Sequence, residues 1–499
     1  MLKKYLLRIF LAGWLLFLAL APLLLEYWET SNKRFLLLKE LDDSDWRVQK
    51  KASQTLLSLR DPSLIEALRT QYERKETRTI GSVILLGKLG DFTPGADLLK
   101  WLQNDEFFMQ HPQKGAEIIE ALISWHSLGF STEEDVQKIL PCLMKSLHHP
   151  AKEVRASAIQ ALRWFEVKSS IPALMVASAD PSLEVRFQAI RSLRFLKASG
   201  PAVLSIYNQR FQEKEDSLRL EIIQALGESQ EVLPESIPIL CQFLSEKNHW
   251  IGFSATWILL KMGVPRETIL KELIPALRRR VQNHVPLEIW QEIPLQCSAS
   301  QAEELLCRYL KHPSLVIRQA SVRSLRWLGK EARFATSSLL KSLQDSHWFV
   351  RWESAWALGY IQEVSTIPAL TQTLEHDPHK SPRENAVWAL ANIGQTPEIL
   401  AKIEQALIDP DPEVRMIAAC ACVRAHHQWK KNIPLVIDAL NHEQYYIRDF
   451  AILALEDLPS YSSEVRSSLR NVLLFDELEM QRWRAFHLLK KIKSREKKF

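Results

Sequence analysis

One spacing constrains this chain more than any other feature. An aliphatic residue followed by arginine, a small residue four positions after the aliphatic and leucine four later occur as Val154-Arg155 with Ala158 and Leu162, and as Val185-Arg186 with Ala189 and Leu193. A third copy reads Val414-Arg415 with Ala418, and Cys422 in the leucine place. Steps of four keep these residues on one face of a helix. Further arginines fall in phase at Arg219, Arg318, Arg351, Arg383, Arg448 and Arg482, so that successive spacings from Arg155 are 31, 33, 99, 33, 32, 32, 33 and 34. The 99 spans three periods, with Gly252 at the first missing position and Val285, in a divergent unit, at the second. Upstream, Val48 with Ala52 and Leu56 repeats the apolar part.

A second signal runs beside the first. Proline follows Ile or Leu at Pro141, Pro172, Pro238, Pro275, Pro294, Pro368 and Pro434, and proline suits the first turn of a helix, where its missing N–H costs no internal bond. Each unit therefore reads as helix A opening at Ile-Pro, a turn carrying Asp (Asp180, Asp345, Asp377, Asp409), and helix B opening at Val-Arg, with the aspartate as the expected N-cap. Neither helix alone can bury its apolar stripe, and stacking does that. A period near 33 over residues 36–497 implies roughly 14 hairpins, in an all-α, right-handed α-solenoid. Residues 36–140 read as divergent repeats and 141–489 as regular ones. A basic tail, Lys490 to Lys498 within 490–499, closes the chain.

The segment Asp180-Pro181-Ser182-Leu183-Glu184-Val185-Arg186 with Ala189 and Leu193, and its sister from Asp409 to Cys422, resemble the HEAT-like repeat of the phycobilisome-lyase type. The resemblance covers nearly all of the chain after residue 36 and is specific for fold. Tetratricopeptide and ankyrin arrays have similar periods, but the Trp-x-x-Leu-Gly string occurs once, at Trp125 to Gly129, and Thr-Pro-Leu-His nowhere.

The N-terminus carries a different signal. Residues Ile9 to Leu25 bear no charge, with Lys3, Lys4 and Arg8 ahead of them and Glu26 and Glu29 behind. This predicts a transmembrane or signal-anchor helix over 9–28, preceded by a short basic segment at 1–8. The charge bias places the N-terminus in the cytoplasm and the repeats across the membrane, in the periplasm if the source is bacterial. Ala19-Leu20-Ala21 offers a cleavage site, so secretion after signal cleavage is the alternative.

Charge narrows the partner class. With 64 basic and 59 acidic side chains, formal net charge is +5, too little for a strong field toward nucleic acid. The phased arginines (Arg155, Arg186, Arg219, Arg318, Arg351, Arg383, Arg415, Arg448) recur together with the turn aspartates. They are therefore expected to pair with the aspartate of their own or a neighbouring unit and form a structural ladder. With Val350, Ser354 and Leu358 on the core face of one helix B, Trp352 and Trp356 point roughly 160 to 200 degrees away. Trp388 and Trp257 hold the same register as Trp356, and Arg323 lies between them in that register. Such a stripe on a concave face has the Trp and Arg content of a binding hot spot; packing between adjacent repeats is the competing expectation. The row Leu162-Arg163-Trp164, Leu193-Arg194-Phe195 and Leu325-Arg326-Trp327 sits nearer the core edge and is expected to pack.

No catalytic constellation is visible, and neither a metal nor another cofactor is expected. Cys420 and Cys422 point about 200 degrees apart on a helix and cannot converge with His426 and His427 on a tetrahedral ion. HEAT-type deoxyhypusine hydroxylase, similar in fold, uses several His-Glu pairs to hold iron, and this sequence has one, His442-Glu443. The expected function is a membrane-anchored scaffold or adaptor that binds protein partners on its concave face, with anionic lipid a possible contact for the basic tail. An accessory or catalytic protein of bilin-lyase type and a nucleic-acid-binding HEAT protein are the alternatives.

Overall fold

The computed structural model describes residues 36–496, apart from internal stretches at 42–45, 59–62, 74–79, 90, 92, 130, 211–212, 229–235, 245–247, 282–283, 285–292 and 457. The predicted anchor at 9–28 lies outside the described residues. Among those described, no strand occurs and no helix is long and apolar enough to cross a membrane. The chain divides into two units, one ending at Leu143 and the other beginning at Met144.

In the first unit the helices Trp46–Ser58, Ser63–Glu73, Ile80–Lys88, Gly95–Leu102, Asp105–Gln110 and Pro112–Ser127 follow in order. Ala52, Leu56, Leu64, Leu68, Leu85, Leu98, Ile118 and Leu122 are fully buried among them. Arg69 reaches Asp91 at 2.6 Å and Lys88 reaches Glu120 at 2.8 Å, so charged pairs tie separate helices and turns together within this unit.

The second unit is an all-helical solenoid of hairpins. Its core follows the repeat: Val154, Ala158 and Leu162, Val185, Ala189 and Leu193, Val350, Ser354 and Leu358, and Val414, Ala418 and Cys422 all have no exposed surface. These residues sit on helices Lys152–Trp164, Leu183–Phe195, Trp348–Ile361 and Pro412–Arg424. The second signal holds at some positions only. Pro172 and Pro368 lie in the first turn of Ile171–Ala177 and Ile367–His376. By contrast Pro141, Pro275 and Pro434 are interior to Glu133–Ser146, Arg266–Val281 and Trp429–Leu440, because polar residues ahead of Ile-Pro, such as Glu133 to Asp135, extend the helix in the N-terminal direction. Pro294 lies outside any helix.

One expectation about helix ends is corrected. The turn aspartates are not the helix N-caps, which are Ser182, His347, His379 and Asp411, two residues further on. Each aspartate instead accepts the backbone N–H of that N-cap residue, at 2.8 to 2.9 Å, which leaves its remaining lone pairs free for another donor. The expected basic tail is helical through Glu496, within Glu479–Glu496. Ile492 is buried, while Lys491 and Arg495 donate to the carbonyls of Glu456 and Leu458, so the turns before 497 belong to the fold.

Candidate partner surface

The ladder arginines reach forward by one repeat. Arg155 pairs with Asp180, Arg318 with Asp345, Arg351 with Asp377, Arg383 with Asp409, and Arg448 with Asp476, at 2.6 to 2.8 Å. Their Nη1 groups meanwhile donate to carbonyls of their own turn, as Arg351 does to Asp345 and Ser346. Each guanidinium thus bonds a carboxylate in two-pronged geometry and also closes a turn, a use of its planar donors that lysine cannot copy. Arg186 takes Glu213 at 2.9 Å and Arg219 takes Asp216 within its own helix. Arg415 is held by the carbonyls of Asp409 and Pro410. The row is therefore engaged inside the protein.

Eight residues after Arg155, Arg186 and Arg318 the chain carries arginine, and eight after Arg219 and Arg351 it carries glycine; the next repeat fills the place accordingly. Arg194 meets Glu221 at 2.6 Å and Arg326 meets Glu353 at 3.0 Å, with all four side chains nearly inaccessible. Where the residue is glycine, a tryptophan ring from the next repeat lies on it: a Cβ on Gly227 would stand 2.6 Å from Trp257, and one on Gly359 would stand 2.6 Å from Trp388. Trp257 and Trp388 are thus seated by missing side chains. A shape requirement of this kind is invisible to a search for apolar periodicity.

The expected stripe is placed as follows. Trp352 and Trp356 are half-buried, with ring centres 5.3 Å apart, and Trp356 and Tyr360 both contact Trp388, at 6.0 and 5.0 Å. Arg326, not Arg323, is the cation inside the cluster, 4.2 Å from the centre of Trp356 and 5.4 Å from Phe253. Arg323 instead covers Phe349 and donates to Glu353 at 3.1 Å. Trp257, in the same register, is 47% exposed. The rings pack against one another across repeats and still keep accessible edges. Arg326 was missed as a member because its row, Leu325-Arg326-Trp327, reads as ordinary core edge.

Three carboxylates, Glu384, Asp411 and Glu413, bring oxygens within 4.8 Å of one another. Tyr446 donates to Glu384 at 3.2 Å and Lys380 lies 2.7 Å from Glu413. Burial, then the neighbouring Glu413 carboxylate, push Glu384 up to about 7, so a proton and an ammonium together offset the crowded charge. Cys420 and Cys422 are buried, and burial raises their thiols to about 12 and about 11. His427 turns instead to Glu404, at 3.3 Å. The single His-Glu pair, His442-Glu443, serves through its backbone, both carbonyls accepting from Arg448.

The HEAT repeats model matches residues 140–227, 270–359 and 367–425, and that of the PBS lyase HEAT-like repeat matches 350–376. The chain is a HEAT-like repeat protein. Among solved structures, importin beta is 13% identical over 93% of this chain and 70% of its own, with a TM-score of 0.41. An engineered protein is 17% identical over 86% of this chain and 100% of its own, with a TM-score of 0.25. Human deoxyhypusine hydroxylase is 22% identical over 52% of this chain and 97% of its own, with a TM-score of 0.24. No curated protein matches the chain. None of these likenesses carries an activity or a partner across.

Proposed function

We propose that this protein is a membrane-held HEAT-repeat scaffold that grips a protein partner along the edge of its B helices, around Trp257, Trp352 and Trp388. The observation that carries this reading is Trp257, which leaves 47% of its surface accessible while its ring is seated on Gly227 and flanked by the Lys261 ammonium. A ring held in place before binding loses little freedom when a partner covers it, and tryptophan is among the residues that dominate binding energy. The ladder arginines are engaged with acidic partners or turn carbonyls, which leaves little for a polyanion to recruit and favours protein over nucleic acid. The uncharged run Ile9 to Leu25 supplies the anchor in this reading, with the repeats on the far side of the membrane from the N-terminus.

A photo-crosslinking amino acid at position 257 or 352 tests the surface, with Val176 and Ile408, both well exposed on A-helix segments, as control positions. Adducts to one discrete protein from 257 and 352 alone are expected; equal adducts from all four positions would remove the surface assignment. Alkaline carbonate extraction tests the anchor. The full chain should stay with the membrane, and a chain lacking residues 1–28 should be released.

A further inference from the structure

Within the second unit the last helix lies against the first repeats. Glu479, at the start of Glu479–Glu496, pairs with Arg163, with Arg191 at 2.8 Å and with Gln160 at 3.0 Å. One turn on, Trp483 enters a cluster with Trp164 and Phe195, ring centres 5.1 and 4.6 Å away, and Phe486 lies 5.5 Å from Trp164. Two turns further Lys490 meets Glu166, and His487 lies 3.9 Å from the same carboxylate. Partners separated by 316 residues in sequence thus meet along three turns of one helix.

The repeat pattern explains why they meet there. Arg163, Arg194 and Arg326 occupy the same place, eight residues after Arg155, Arg186 and Arg318. The group that faces them stands two residues after the next ladder arginine. For Arg194 and Arg326 it is an acid, Glu221 and Glu353. For Arg163 it is Gln188, a neutral amide at 3.3 Å. Arg163 has no accessible surface, and a buried guanidinium without a counter-charge is costly. Glu479 supplies from the far end of the unit the charge that the neighbouring repeat lacks.

We propose that helices Lys152–Trp164 and Leu183–Phe195 form a helix-docking seat, that the protein's own C-terminal helix is its resting occupant, and that a partner helix carrying an acidic residue four positions before an aromatic one can take the same seat. The proposal rests on the scaffold reading and names a second surface for it, with the chemistry of the segment that fits. The two arginines select the carboxylate and the Trp164–Phe195 rings select the aromatic, in the spacing that Glu479 and Trp483 already display. Displacing the resting helix opens the seam and frees the inner edge of the first repeats. Because the resting helix is tethered, its effective concentration is high, and an outside segment competes at a disadvantage until the clasp is weakened.

The full chain in detergent, with a fluorophore pair introduced at Ser199 and Lys493, reads the seam directly. Glu479→Gln should lower transfer efficiency and also lower the melting temperature, since Arg163 loses its counter-charge. Adding Gln188→Glu in that background should restore the melting temperature, because Arg163 is neutralised locally, yet leave the seam open. A peptide copying residues 476–490 should bind Glu479→Gln at least about tenfold more tightly than the wild type, about 1.4 kcal/mol, and the same peptide with its Trp replaced by Ala should not bind. Unchanged transfer in Glu479→Gln would overturn the proposal, as would reclosure in the double variant or equal peptide affinity for the two proteins. None of these readouts involves Trp257, so failure here and failure of the scaffold reading are separable.

Discussion

Arg383 and Asp409 form a two-pronged ion pair across neighbouring repeats, Nε to Oδ2 and Nη2 to Oδ1 at 2.8 Å each. The same carboxylate accepts the N–H of Asp411, and the same guanidinium donates to the carbonyl of Asp377. One residue pair thereby fixes the spacing of two repeats and the shape of two turns.

Arg383→Ala should therefore destabilise the second unit by about 1.5 to 3 kcal/mol, the range for hydrogen bonds to charged groups. Arg383→Lys should recover less than half of the loss, since an ammonium cannot span both carboxylate oxygens and the carbonyl. Thermal melting checks both. Retention on a heparin column should be unchanged in either variant, because the arginine is already engaged.

Gly359→Ala tests the glycine seats. The added methyl would stand 2.6 Å from Trp388 and 2.8 Å from Ala389, and backbone and ring must shift to admit it, at a cost of about 1 to 3 kcal/mol. Trp388→Leu in the same chain should return part of that loss by vacating the space. Alanine normally stabilises a helix relative to glycine, so a rise in melting temperature for Gly359→Ala would show that the ring does not occupy this position.

The Glu384 cluster predicts a pH dependence of definite sign. Burial and Glu413 raise its pKa to about 7 in the folded state, above the value near 4.3 of an unfolded glutamate. Between those values the folded state holds a proton that the unfolded state has released, so stability falls as pH rises and the loss is complete above about 7. Glu384→Gln should flatten this slope and raise the melting temperature at pH 8 relative to the wild type. An unaltered slope would place the titrating group elsewhere.

The solenoid was legible because its demands repeat. A fully buried triplet four residues apart, such as Val154, Ala158 and Leu162 or Val185, Ala189 and Leu193, is the kind of requirement that periodicity reports, and so is an arginine that meets an aspartate in most turns. What repetition could not show was division of labour within a unit. Asp180 looked like an N-cap, yet Ser182 occupies that place and Asp180 serves Arg155. Gly227 and Gly359 drew no notice in the sequence, and they are seats for Trp257 and Trp388. Arg323 was placed among the tryptophans on register alone, whereas the shorter reach from Arg326 puts that cation over Trp356. The Glu479–Arg163 pair was illegible in a different way: it depends on Gln188 breaking the pattern and on the curvature of the whole unit, which no single repeat encodes.

The measurement that bears most directly on the scaffold reading separates two tryptophans of the same stripe. Trp356 is locked between Trp352, Trp388 and Arg326, so Trp356→Ala should lower the melting temperature along with partner affinity. Trp257→Ala should weaken binding of the crosslinked partner by about tenfold or more, the effect of losing a hot-spot ring, with melting shifted by no more than about 2 °C, as expected of surface changes in a domain of this size. Full affinity retained in Trp257→Ala would contradict the account.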